Sequence, residues 1–131
     1  MLLLDTCVLI FDALAPEKLS KRAATELATG RIAGALASSD ISLWEIAMLS
    51  ARGRITVKQD VVGLIRDIVL ANRLTVIPIS PEIATLSADD HLFPHKDPAD
   101  RIIAATAICR NLPLVTCDGL LNGIDGLKTI W

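Results

Sequence analysis

Four carboxylates in this 131-residue chain stand where a carboxylate can do chemistry. Asp5 directly follows the apolar run "MLLL", and Asp118 comes two residues after Thr116, the end of "LPLVT". Each run reads as a buried strand, and ligands of open α/β sheets gather beyond the carboxyl ends of such strands. A lone acid at a strand end serves as readily as a helix cap. Glu45 lies three residues after Ser42, the spacing of a capping box in which the serine caps the backbone and the glutamate reaches back. The start of a helix that follows a strand faces the same crevice, so this glutamate can instead turn toward a cation.

The stretch "DPAD" at 97 to 100 holds two further acids with different expected roles. Asp97-Pro98 has the form of an N-cap followed by proline at the first helical position, which makes Asp100 the third. At about 100° per residue, Asp100 falls among Ile103, Ala104, Ala107 and Ile108, with Thr106 and Arg110 opposite. Asp97 is thus expected to start a helix and Asp100 to point into the crevice. Arg101, about a quarter turn away, is placed to pair with Asp100 or to reach a phosphate.

Asp5, Glu45, Asp100 and Asp118 converging without compensation repel one another and raise their own pKa values. A divalent cation removes that repulsion. Carboxylate oxygens are hard ligands suited to Mg²⁺ or Mn²⁺, ions that activate water and stabilise a leaving oxygen in phosphodiester cleavage. Thr6 and Thr116 add hydroxyls that can orient ligands or water.

These residues need a sheet to bring them together, and the punctuation of the chain supplies one. "MLLL" is expected as the first strand, followed by a short helical segment through Phe11. Pro16 and Glu17 open "EKLSKRAATELATG", a helix closed by Gly30, and "IAGALA" is a second strand. Helices are expected from Ser42 to Gly53, from about Val57 to Asn72 and from Pro81 to His91, by boundary errors of about two to four residues. "LTVIPI", "LPLVT" and "LKTIW" are the remaining strands, and the helix begun by "DPAD" precedes "LPLVT". Such alternation implies right-handed crossovers and a central parallel sheet flanked by helices.

The composition agrees. Hydrophobic residues make up 52% of the chain and aromatics 3%, so the core is aliphatic, as in helices packed on a parallel sheet. The length fits one domain over 1–131. The apolar stretch "MLLLDTCVLIFDALA" is interrupted by Asp5 and Asp12 well short of the roughly 20 residues of a membrane span, and it lacks a basic leader. A cytoplasmic protein is the expectation. Cys7, Cys109 and Cys117 show no metal-binding spacing and read as reduced core residues. A net charge of −2 argues against a broad electrostatic footprint for nucleic acid but leaves room for a local one.

"LLLDTCVLI" at 2 to 10, "SLWEIAMLSARGRI" at 42 to 55, "DPADRIIAATA" at 97 to 107 and "LPLVTCDGLL" at 112 to 121, in this order, resemble the PIN-domain ribonucleases, and among them the VapC-type toxins of toxin–antitoxin pairs. The resemblance covers nearly the whole chain. It implies that Asp5, Glu45 and Asp100 are the three principal metal-binding acids and Asp118 the more variable fourth. Asp97 corresponds to an accompanying residue of the toxin branch, and Thr6, Ser42 and Thr116 to supporting hydroxyls. The resemblance further implies Mg²⁺- or Mn²⁺-dependent endoribonuclease action, homodimers, and inhibition by a VapB-type antitoxin whose C-terminal segment crosses the active-site groove. The apolar helices around 43 to 51 and 61 to 71 offer surface for such contacts.

Other residues carry weaker signals. His91 and His95 have a zinc-compatible spacing, but Pro94 breaks any helix between them. Trp44 and Trp131 sit in apolar contexts and are expected to pack rather than to stack on a base. Arg52, Arg54, Lys58 and Lys96 are candidates for holding an RNA backbone, with solvated surface charge the bland alternative. Two other functions compete. A receiver-like phosphoacceptor domain also has strand-end aspartates, but it needs a lysine at the site and has no place for Glu45 or Asp100. A non-catalytic RNA- or protein-binding module would tolerate loss of the acids, which are all present.

Overall fold

The computed structural model describes residues 1–94 and 97–131. Five parallel strands form one sheet in the order β3-β2-β1-β4-β5: β1 is Leu2–Leu4, β2 Leu36–Ser39, β3 Thr75–Ile77, β4 Leu114–Val115 and β5 Thr129–Ile130. The central strand β1 pairs Leu4 with Ser38 on one side and with Val115 on the other. Strand order therefore reverses at β1/β4, and a crevice opens beyond the strand ends at such a switch point. The receiver-like reading fails here, because that architecture has the order 2-1-3-4-5.

Among the described residues, six helices cover the sheet: α1 Thr6–Leu14, α2 Lys21–Ala33, α3 Ile41–Ala51, α4 Val61–Ala71, α5 Pro81–Ser87 and α6 Pro98–Arg110. Successive strand residues point to opposite faces. Leu3, Ala37, Ile77 and Leu114 accordingly pack with Ile83 of α5 and Ile103, Ala104 and Ala107 of α6. Leu4, Leu36 and Val115 pack with Val8, Leu9, Ala23, Leu27, Ile46, Leu64 and Ile68 from α1 to α4. Among the described residues no helix is long and apolar enough to cross a membrane.

Several expected boundaries move, for local reasons. Helix α1 runs on to Leu14, beyond Phe11. The expected helix at Pro16 is a single 3-10 turn, Pro16–Lys18, after which Leu19 and Ser20 are extended. Ser20 then caps α2 by accepting from the Ala23 amide at 3.0 Å. Its end lies at Gly34, whose left-handed φ of 62° suits a residue without Cβ, while Gly30 stays inside the helix. The strand read at "IAGALA" thus starts only at Leu36. Helix α4 begins at Val61 because Asp60 caps it through the Gly63 amide at 2.7 Å, and α5 ends at Ser87, short of His91.

Candidate metal centre

The acids are delivered to the β1/β4 switch point by four separate segments. Asp5 is both the residue after β1 and the N-cap of α1, with Oδ1 accepting from the Thr6 amide at 2.7 Å. Its Oδ2 accepts from the Thr116 hydroxyl at 2.6 Å. The Asp118 amide in turn donates to Thr116 Oγ1 at 3.0 Å, so the end of β4 ties Asp5 to Asp118. Asp118 also opens the 3-10 turn Gly119–Leu121 by accepting from the Leu120 amide at 2.9 Å. Both strand-end acids therefore cap and face the crevice; the two readings are not exclusive.

Glu45 arrives from α3 by a different route from the capping box. The helix starts at Ile41, one residue ahead of Ser42, with Asp40 in helical conformation at its N-cap. Ser42 therefore sits inside the helix, where it cannot cap. Its Oγ instead lies 2.9 Å from Thr6 Oγ1, which is 2.5 Å from Glu45 Oε1. With a single hydroxyl proton, Thr6 donates to the carboxylate, and Ser42 is left to donate to Thr6. Two of the three expected supporting hydroxyls, Thr6 and Ser42, thus form a relay that aims Glu45.

Asp97 caps α6 as expected, with Oδ1 accepting from the amides of Ala99 at 2.9 Å and Asp100 at 3.4 Å. Asp100, in the first turn of α6, lines the carboxylate cavity, but the opposite side of α6 is not solvent-facing at its centre. Thr106 is fully buried and donates to the Ile102 carbonyl at 2.7 Å, because α6 is packed into one cluster with the sheet, Ile83, Leu121 and Ile124.

Asp5, Glu45, Asp100 and Asp118 line one cavity of about 350 Å³, together with Thr6, Cys7, Arg54 and Cys117. Oxygens of Glu45, Asp97 and Asp100 lie within 4.8 Å of one another. Asp97 is therefore nearer the cluster than a pure cap would be, and the division of labour in "DPAD" is less sharp than helical phase alone implies. Burial, then repulsion from Asp5, Asp97, Glu45 and Asp118, pushes Asp100 up to about 7. Burial also raises Asp5, against the pull of Thr116, Cys7 and Thr6. Glu45 is raised by burial, partly offset by Thr6, with Asp5 and Asp97 adding repulsion. Hard oxygens gathered at this spacing, with the Asp5, Glu45 and Asp100 carboxyls raised by burial and mutual repulsion, are a donor set that fits Mg²⁺ or Mn²⁺.

The remaining expectations divide. Arg101 Nη1 donates to Asp90 at 2.7 Å and Nη2 to the Phe93 carbonyl at 2.9 Å, so these donors brace the connection between α5 and α6 instead of reaching for a phosphate. Arg54 lines the carboxylate cavity, and Arg52 and Arg54 line an adjoining groove. Lys58 is exposed and lines neither. Lys96 lies outside the described residues, as does His95, whose pairing with His91 is thereby left aside. Trp44 is 55% exposed on the groove wall and Trp131 40% exposed, contrary to the expected packing roles. Cys109 and Cys117 are exposed and so are not core residues, whereas Cys7 is half-buried and packs against the core. The signal for Cys7 and Cys117 was available: each lies within two residues of a strand-end acid.

A parallel sheet of this order with acids clustered at its switch point defines a class, and residues 2–127 match the PIN domain family model. The chain belongs to the PIN domain family. It is 36% identical over 121 residues to Ribonuclease VapC22 of Mycobacterium tuberculosis (strain ATCC 25618 / H37Rv), a match covering 92% of this chain and 88% of that protein. A toxin–antitoxin complex from Klebsiella pneumoniae contains a chain that superposes with a TM-score of 0.66 at 25% identity, covering 100% of this chain and 97% of the other. VapBC2 from Rickettsia felis, solved bound to a DNA fragment from its promoter, matches in fold with a TM-score of 0.72 at 18% identity, covering 98% and 96%.

Proposed function

We propose that this chain is a metal-dependent endoribonuclease, the toxin of a toxin–antitoxin pair, acting on RNA phosphodiester bonds in the cytoplasm. The observation that carries the reading is the convergence of Asp5, Glu45, Asp100 and Asp118 on one cavity at the sheet's switch point. The similarity to Ribonuclease VapC22 supports it.

Asp5, Glu45, Asp100 and Asp118 would hold Mg²⁺ or Mn²⁺, with Asp97 close enough to assist. When bound, the ion supplies Lewis-acid stabilisation of phosphoryl charge and lowers the pKa of water. The protein's own part is orientation. Thr116 and the Thr6 amide fix the two oxygens of Asp5, while Thr6 and Ser42 fix Glu45. Such supporting bonds set ligand direction and basicity. Arg54, on the wall of the same cavity, is suited to a phosphate of the RNA backbone.

The adjoining groove of about 500 Å³ runs between α3 and α6, and its apolar lining includes Ile41, Trp44, Met48 and Ile102. It shares Glu45, Leu49 and Arg54 with the carboxylate cavity. A segment of a VapB-type antitoxin lying there would reach the acids, and the exposed apolar residues of α3 and α4 suit homodimer or antitoxin contacts.

The test is cleavage of structured RNAs by the purified protein with Mg²⁺ or Mn²⁺, with EDTA, and with Asp5→Asn or Asp100→Asn. Cleavage is expected with either ion and lost on chelation or substitution. Activity that survives both chelation and substitution sinks the metal mechanism.

A further inference from the structure

Two thiols at the mouth of the cavity have no part in holding a cation in the scheme above. Cys117 Sγ–H donates to Cys7 Sγ across 3.0 Å, although the residues are 110 apart in sequence. Cys7 Sγ–H donates to Asp5 Oδ2 at 3.4 Å. The approach is imposed by the sheet: Leu4 is in register with Val115, and the Asp5 amide donates to the Val115 carbonyl at 3.0 Å. Each cysteine follows one of these paired strand ends by two or three residues, so neither depends on a long loop for its position. Reaching a bonded separation of about 2.05 Å requires the sulfurs to close by about 1 Å. Cys117 is exposed and Cys7 half-buried, so an oxidant has access to the pair.

We propose that Cys7 and Cys117 are a redox pair that closes to an intramolecular disulfide at the mouth of the carboxylate cavity on exposure to a peroxide. The Cys117 sulfur attacks one peroxide oxygen; an S–O bond forms, the O–O bond breaks, and the thiol proton leaves with the other oxygen as water. The Cys7 sulfur then attacks the Cys117 sulfenic acid; the S–S bond forms, the S–O bond breaks, and the hydroxyl takes the Cys7 proton as a second water. The two sulfurs together lose two electrons, and the peroxide is reduced to water. A dithiol reductant reverses the bond by exchange. Closure removes the Cys7 donor from Asp5 and ties the first turn of α1 to the residue before Asp118. None of this requires that the chain cleave RNA.

The experiment treats the purified protein with hydrogen peroxide, alkylates the remaining thiols after denaturation, and maps the peptides by mass spectrometry. Two of the three thiols are expected to disappear from a single chain, joined as a Cys7–Cys117 peptide. Thermal unfolding of the oxidised protein is expected at a higher midpoint, since the bond closes a very long loop, and dithiothreitol restores both values. Cys109→Ser preserves this behaviour, whereas Cys7→Ser and Cys117→Ser each abolish it. Oxygen adducts on Cys117 with Cys7 still open to alkylation overturn the proposal. So do cross-links between chains in place of the internal bond, or a midpoint lowered by oxidation.

Discussion

Asp97 and Asp100 are two acids in one helical turn, and what separates them is what already holds them. Asp97 Oδ1 is engaged by two backbone amides, and asparagine can still accept these bonds. Asp100 sits deeper, with its carboxyl pushed up to about 7. Asp100→Asn is expected to reduce RNA cleavage on the order of 100-fold or more, and Asp97→Asn by about tenfold, in initial rates at saturating Mn²⁺. Equal losses would mean that both carboxylates serve the cation alike. The raised carboxyl also gives the cation-free protein a definite response to pH. Asp100 keeps its proton in the folded state where the unfolded chain, at the ordinary 3.8, has released it. Its contribution to stability is therefore complete below 3.8 and is lost as pH rises to about 7. In EDTA, thermal midpoints are expected to carry a falling component across that window, which Asp100→Asn removes. An identical pH profile for the two proteins refutes it. At this scale the sequence was most legible: helical phase put Asp100 in the crevice, and strand ends located Asp5 and Asp118. The Thr6–Ser42–Glu45 relay was not legible, because it joins residues 36 and 39 positions apart through a contact that no local pattern encodes.

Elements were read well in kind and less well in extent. All five strands and the six helices have counterparts in the pattern of apolar runs, but the ends of α2, α3 and α4 were set by competing caps. Pro16-Glu17 has a good helix-start signature, yet Ser20 provides a better one four residues later by satisfying the Ala23 amide. Gly30 looked like a terminator, but it lies in the helix where α2 crosses close to Leu36, while Gly34 makes the left-handed turn into β2. Gly34→Ala places a Cβ at a φ of 62° and is expected to cost about 1 kcal/mol, measured by urea unfolding. An unchanged midpoint would show that the turn relaxes. The one-residue shift of α3 matters most for function, since it moves Ser42 from cap to relay.

For the whole molecule, the acids come from β1/α1, α3, α6 and the end of β4, so no fragment of the fold contains the site. A cation bound by these acids binds the folded chain and not the unfolded one. Saturation at about 100 times Kd is expected to add roughly 2.7 kcal/mol to the free energy of unfolding, visible as a rise in thermal midpoint with Mn²⁺ that Asp5→Asn abolishes. A rise of equal size in the variant would place the ion elsewhere. The strand order has a further consequence, for the synthesis of the chain. The central strand β1 is made well before its neighbour β4, and the hydroxyl that fixes Asp5 comes 111 residues after it. Until a ribosome has delivered residues 114 to 116, β1 has one open edge and Asp5 lacks its Thr116 clamp. A polypeptide ended before Thr116 is thereby unable to complete the centre, so a cell translating this protein meets its chemistry only after synthesis has passed that residue.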